Sequence, residues 1–285
     1  MNLFKRLFLF FTPYGFVSIY KKYQKKKSEK RKKNTKIIWS GEYPTWKEAL
    51  QISDGYDSEN ILEKVKNSTL KVKNGEAVYE RDSFIFDKIQ YNWPLLASLL
   101  SIGSNKGNTL NIIDFGGSLG SSYFQNKHIL SPLFNINWVV VEQSHFVDCG
   151  RGLITNDELT FEYTIQDAKD KLKIDAVLLS GVLQNLDNPY DWLEQILSYN
   201  FEYIIIDRTA FIDDDKDRIT IQKVPEEIYK ASYPAWFLNE SKFLQAFESN
   251  YNLIYDFNSA ADSDNFLEDG KRGYRKGFLF KRITN

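Results

Sequence analysis

The stretch Asp114-Phe-Gly-Gly-Ser-Leu-Gly120 follows a short apolar run, Leu110, Ile112 and Ile113, and places three glycines within five residues. That composition describes a buried strand breaking into a tight turn, and residues 118–130 beyond it can wind as a helix. Turns of this kind hold nucleotide-like ligands, because glycine lets the backbone come close and the first N–H groups of the helix lack partners. A dinucleotide fingerprint, G-x-G-x-x-G, fails here: counted from Gly116 its positions are Gly116, Ser118 and Ser121. The pattern acid-x-G-x-G-x-G fits better. Asp114, Gly116 and Gly120 match it, Ser118 replaces the middle glycine, and Gly117 is added beside it. In this reading Asp114 orders the loop and meets an amino group of the ligand.

Residues at the carboxyl ends of strands in an open parallel sheet face the ligand crevice, and four such ends here are polar: Asp114, Glu142, Ser180 and Asp207. Glu142 ends the strand after the glycine turn, the place where nucleotide folds put the acid that accepts both ribose hydroxyls; Gln143 follows it. Asp167, past the third strand, is either an adenine contact or an ordinary surface acid.

These groups need a frame. Apolar runs at residues 110–114, 136–141, 159–163, 174–180 and 203–207 alternate with helical stretches, which argues for a right-handed parallel sheet. Two late runs, 251–257 and 277–282, complete a seven-strand α/β pattern, and 219–224 is an extra strand. Thr45-Trp-Lys-Glu48 is a capping box, a helix follows from Ser58, and a third helical region covers about 83–102, restarted at Trp93-Pro94. The expected organisation is an arm over 1–36, a helical layer over 37–105 and a Rossmann-like domain over 106–285.

Charge is unevenly spread. Residues 1–36 carry twelve Lys/Arg and one acid, leaving 25 basic against 37 acidic residues for the rest, so the body does not suit nucleic acid. Within the arm, Leu7–Tyr20 is apolar and aromatic, but at 14 residues interrupted by Pro13 and Gly15 it falls short of the roughly 20 that span a bilayer. A lysine cluster follows where a cleaved signal would show small residues. Aromatics before dense Lys/Arg suit an anionic membrane surface; the alternative is packing on the body with a solvated linker. The single Cys149 points to a reducing compartment or to indifference. Two distant histidines and one cysteine give no metal-ligand spacing, and Asp213–Asp215 reads as a solvated loop.

Six segments in order carry a family resemblance: Glu80–Ser83, Asp114–Gln125, Trp138–Gly150, Leu178–Leu186, Ile204–Thr209 and Ser232–Phe237. Together they resemble class I methyltransferases found among bacterial surface-polysaccharide genes, from about Trp39 to the C-terminus. The resemblance implies a Rossmann-like, seven-stranded, mostly parallel sheet, S-adenosylmethionine as cofactor, a cytoplasmic enzyme, and a glycan or other sugar-containing acceptor from capsule or O-antigen assembly. A non-catalytic scaffold of the same fold stays open beside it. The basic arm is similar to leader segments on other enzymes of such clusters.

Methyl transfer to a hydroxyl needs a base within hydrogen-bond reach. Asp207 is the first candidate and His145 the second; His128, mid-helix, reads as packing. Arg81 and Arg208 either clamp a phosphate or carboxylate of the acceptor through forked donors or form internal ion pairs. Tyr233 and Trp236 either stack on a sugar face or plug a lid, and Tyr229 with Tyr233 has helical spacing.

Overall fold

The computed structural model describes residues 38–54, 58–224, 231–259 and 265–284. The arm over 1–36, with its membrane-surface reading, and Tyr229 lie outside the described residues. Along the chain run β1 (Ile38–Tyr43), α1 (Trp46–Ile52), α2 (Ser58–Lys73), β2 (Tyr79–Arg81), β3 (Phe84–Phe86), α3 (Trp93–Asn105), β4 (Thr109–Phe115), α4 (Ser121–Leu130) and β5 (Asn135–Val141). There follow α5 (Ser144–Cys149), β6 (Leu159–Glu162), α6 (Ile165–Lys171), β7 (Ala176–Ser180), α7 (Pro189–Ser198), β8 (Tyr203–Ile212), β9 (Arg218–Val224), β10 (Ala231–Asn239), α8 (Glu240–Gln245), β11 (Tyr251–Asn258), β12 (Asn265–Phe266) and β13 (Arg272–Arg282).

Seven strands make the central sheet in the order β6-β5-β4-β7-β8-β13-β11, parallel from β6 to β8, with β13 antiparallel to both its neighbours. The apolar runs β4, β5 and β7 are buried on both faces, as parallel strands under helices must be. Alternation along β4 sends Ile112 to one core and Ile113 to the other. The first packs with Leu99 of α3, Tyr123 of α4 and Val65 of α2. The second packs with Ala168 of α6, Ile196 of α7 and Phe243 of α8.

Strand β8 runs ten residues and belongs to two assemblies. Its first half pairs with β7, while Phe211 and Ile212 pair in parallel with Leu238 and Asn239 of β10. Antiparallel pairing then continues from β10 to β9 and from β9 to β1, so an antiparallel extension is continuous with the parallel sheet. The extra strand expected at 219–224 is β9. Residues 231–239 are also a strand, which corrects the helical spacing read at Tyr233: here the backbone of Tyr233 pairs with Gln222.

The region 83–102 is not one helix. Asp82 and Ser83, both at positive φ (51° and 68°), turn β2 into β3 as a two-residue hairpin in which Tyr79 faces Phe86 and Arg81 faces Phe84. The helix begins only at Trp93, where the Asn92 side chain accepts the Leu95 N–H at 3.3 Å. The layer at 38–105 therefore contains three strands as well as helices. His128 is exposed on α4 and does not pack. Among the described residues no helix is long and apolar enough to cross a membrane.

Candidate functional site

The carboxyl ends of β4, β5, β7 and β8 open into a cavity of about 1120 Å³. Gly116, Ser118 and Ser121 line it from the glycine turn, and Glu142 and Gln143 from the end of β5. The end of β7 contributes Ser180 to Val182 and Gln184 to Leu186, while Leu183 turns into the core. The far wall comes from the hairpin (Arg81 to Phe84, and Phe86), from Trp46 and Leu50 of α1, and from Gln222 and Tyr233 of the antiparallel extension.

The glycine turn is built for close approach. Gly116 stands at φ 70°, and a Cβ there would sit 2.4 Å from Val182 Cγ2. A Cβ on Gly117 would meet the Asp114 carboxyl at 2.5 Å. Gly120, at φ 88°, is the N-cap of α4 and supplies no side-chain cap, so the first amides of that helix stay available to a ligand. Asp114 is 1% exposed and accepts the Trp138 indole N–H at 3.1 Å. Burial pushes its carboxyl up to about 7, with the carboxylates of Glu142 and Asp207 adding to the effect. It lies against Gly117 of the turn and does not line the cavity, so it does not reach the amino group of a ligand there. Glu142 does line the cavity. Its Oε2 accepts the N–H of Gln143 at 2.6 Å, and burial raises its pKa against hydrogen bonds from the Gln143 and Ser118 backbones.

Several expected site residues sit elsewhere. Asp207 is 1% exposed, with its two oxygens taken by Asn92 Nδ2 (2.9 Å) and Ser180 Oγ (3.0 Å). It fastens the start of α3 to the ends of β7 and β8, behind the cavity wall, and has no reach to an acceptor. Burial raises its pKa, opposed first by Arg208. His145, on α5, packs its ring 4.9 Å from Phe146 and buries Nε2 without a hydrogen-bond partner among the described residues; Phe146, not His145, reaches the cavity. Neither base candidate therefore faces the space where an acceptor would lie. Asp167 is in the first turn of α6, its N–H capped by Thr164 Oγ1 at 3.0 Å, and the lining at this edge comes from Tyr163, Thr164 and Ile165 instead.

Arg81 and Arg208 line the cavity, and they also form the internal ion pairs considered for them. Arg208 Nη2 donates to Asp82 Oδ2 at 2.9 Å, while Arg81 Nε lies 4.0 Å from the same oxygen. Arg208 stands at φ 52°, a conformation that costs a non-glycine residue roughly 1 kcal/mol or more. Tyr233 lines the cavity with its hydroxyl accepting from Gln222 Nε2 at 2.9 Å. Trp236 instead stacks on Trp46, with centroids 6.3 Å apart, and donates its indole N–H to Leu186 O.

Gln184, Trp192 and Arg275 are among the lining groups that escape the sequence reading. Gln184 is 5% exposed, its Nε2 donates to Arg208 O at 3.3 Å, and its buried Oε1 has no partner among the described residues. Trp192 packs against Phe115 at 5.5 Å. Arg275 of β13 reaches the cavity and donates from Nη1 to Arg208 O at 3.1 Å. Gly181, at φ 70° directly after the β7 strand end, is the signal that could have drawn attention to Gln184.

A donor set of this kind fits a nucleoside: bare backbone at Gly116, a carboxylate at the next strand end for a diol, and a slot edged by Phe146 and Ile165. No family model matches the chain, and no curated protein matches it. Among solved structures it is similar to magnesium protoporphyrin IX methyltransferase from Synechocystis with bound SAM (14% identity, TM-score 0.43, 81% of this chain and 99% of that one). It is also similar to the N-terminal domain of EvdMO1 in the presence of SAH and D-fucose (13%, 0.41, 78% and 97%). A third is CalS10, an amino pentose methyltransferase from Micromonospora echinaspora (10%, 0.38, 68% and 92%). The fold is Rossmann-like. At these identities and TM-scores the likeness is one of outline.

Proposed function

We propose that the chain is a methyltransferase using S-adenosylmethionine, acting on a hydroxyl of a sugar-containing precursor of a surface glycan. The observation that carries the reading is the pairing of a side-chain-free turn at Gly116–Gly117 with the carboxylate of Glu142 across one cavity wall. When bound, S-adenosylmethionine would supply a methyl group on a sulfonium: the acceptor oxygen forms the C–O bond as the C–S bond breaks, S-adenosylhomocysteine is the leaving group, and the hydroxyl proton passes to solvent, since neither Asp207 nor His145 faces the cavity. The chain contributes chiefly by positioning. Glu142 would hold the ribose diol, the 116–118 backbone would bring the amino-acid end close, and Phe146 and Ile165 would cover the purine. The acceptor would lie across the cavity toward Tyr233, Arg208 and Arg81. From Glu142 at the end of β5 to the end of β8 is three strand spacings, about 14 Å, which is room for both ligands. The wall of Trp46, Phe84 and Tyr233 gives a sugar flat apolar faces. The cytoplasmic setting and the surface-glycan origin of the acceptor rest on the family resemblance of the sequence.

Titration calorimetry with S-adenosylhomocysteine tests the cofactor half: binding is expected, and Glu142→Gln should weaken it about 10- to 100-fold, the loss of a charge-assisted bond pair, with an unchanged unfolding temperature. No heat at millimolar ligand would sink the reading. Mass spectra of surface glycans from cells with and without the protein test the other half, where a 14-dalton difference on one residue type is expected by the chemistry of methylation.

A further inference from the structure

The charged groups lining the cavity are Lys64, Arg81, Arg208 and Arg275 against Asp82 and Glu142. Glu142 is at the cofactor end. The acceptor end thus gathers the guanidinium groups of Arg208 and Arg81 around the carboxylate of Asp82, with Arg275 behind them on the Arg208 carbonyl, and a sulfonium bound beside them would add another positive charge. Asp82 occupies this cluster in a particular way. It sits at the tip of the hairpin, outside the sheet, with its side chain 62% exposed, yet its Oδ2 lies 2.9 Å from Arg208 Nη2 and 4.0 Å from Arg81 Nε. The chain holds Arg208 here at a backbone cost that two hydrogen bonds offset. Its backbone is left-handed at φ 52°, and its carbonyl is fixed from two sides, by Gln184 Nε2 at 3.3 Å and Arg275 Nη1 at 3.1 Å. Gln184 is itself 5% exposed and keeps a buried Oε1 at the cavity wall, unpartnered among the described residues, a polar atom suited to a hydroxyl donor beside the guanidinium groups.

Resting on the methyltransferase reading, we infer that the acceptor is an anionic sugar whose phosphate or carboxylate binds at Arg208 and Arg81 by displacing the carboxylate of Asp82. The hairpin-tip carboxylate is a built-in stand-in for the substrate's oxyanion: the same sign of charge, the same kind of oxygen acceptor, and the same guanidinium donor. Its exposure makes the exchange feasible, because a solvent-facing ion pair contributes little and is readily replaced, whereas a ligand enclosed by Trp46, Tyr233 and Phe84 excludes water from the new pair. A neutral sugar has no charged oxygen to offer in exchange for Asp82 and is discriminated against.

The test uses the full chain saturated with S-adenosylhomocysteine, titrated calorimetrically with pyrophosphate, with D-glucuronate and with D-glucose. One of the two anions is expected to bind and glucose not; which anion does so separates a phosphorylated acceptor from a carboxylated one. Arg208→Gln should weaken that anion at least about tenfold, and Asp82→Asn, which removes the internal competitor, should tighten it several-fold, with S-adenosylhomocysteine affinity unchanged in both. Arg81→Gln serves as a second loss variant should Arg208→Gln fail to fold. Binding of neither anion, equal binding of glucose, indifference to both arginine variants, or weaker binding in Asp82→Asn would each overturn the inference. Failure of wild-type protein to bind S-adenosylhomocysteine would instead remove the methyltransferase reading, and the same anion titrations without it would still decide whether the cluster takes an oxyanion.

Discussion

Replacing Gly116 by alanine probes the turn on which the cofactor reading depends. An alanine at φ 70° costs roughly 1–2 kcal/mol for the left-handed backbone alone. Its Cβ would also stand 2.4 Å from Val182 Cγ2 and 2.9 Å from Val182 Cβ, and overpacking of that kind adds about 1–3 kcal/mol. The expected total is about 2–5 kcal/mol, a large part of the about 5–15 kcal/mol by which domains are stable. The two contributions can be separated by trimming the neighbour. In a Val182→Ala background the 2.4 Å contact with Cγ2 is gone, while the 2.9 Å approach to Cβ and the backbone cost remain, so a double-mutant cycle in urea should return a favourable coupling of about 1–2 kcal/mol. S-adenosylhomocysteine binding should fall in Gly116→Ala and recover in part in the double variant. A coupling near zero would show that the crowding against Val182 is not there, and a neutral Gly116→Ala would show that the turn does not need a bare backbone.

Three further expectations concern the framework. Asn92→Ala removes both the cap of α3 and the bond to Asp207 Oδ1; about 1 kcal/mol for the cap and about 1–3 for the stranded carboxylate should appear in urea denaturation, and an equal loss in an Asp207→Ala background would refute the link. Burial holds both Glu80 and Asp114 up at about 7, above ordinary values of 4.5 and 3.8. The folded chain therefore retains protons that the unfolded chain has released, so stability should fall as pH rises from about 4 to about 7 and level off above. Glu80→Gln should flatten that slope by one proton in urea midpoints taken at several pH values; a stability that climbs over this range would contradict the burial argument.

The parallel core is legible in the sequence because β4, β5, β7 and β8 are largely apolar runs, as strands covered on both faces require. The glycine turn and Glu142 are legible for a related reason, since a strand end and a bare backbone leave a local signature. Asp207 misleads because its partners, Asn92 and Ser180, lie 115 and 27 residues away, and no pattern of spacing reports which way a strand-end carboxylate turns. Asp167 misleads by three residues, because Thr164 caps α6 and moves the lining back to Tyr163–Ile165. The hairpin passes for helix because its turn, Asp82-Ser83, takes left-handed geometry without glycine. Arg275 leaves no local trace at all: it reaches the cavity only because β13 inserts between β8 and β11.

The double membership of β8 limits how the cavity can change shape. Its floor and the wall bearing Tyr233 are stitched by one ladder of main-chain hydrogen bonds through β8, β10 and β9, so separating them means breaking sheet. The hairpin opposite has no such seam among the described residues; its two short strands pair with each other alone, and Glu80 ties it to Ser121 and Ser68 through side chains. The hairpin edge is therefore the part of the cavity wall held by side chains, where a carboxyl bridges the segment carrying Arg81 to the helix that starts at the glycine turn, and amide exchange should be faster there than along β10.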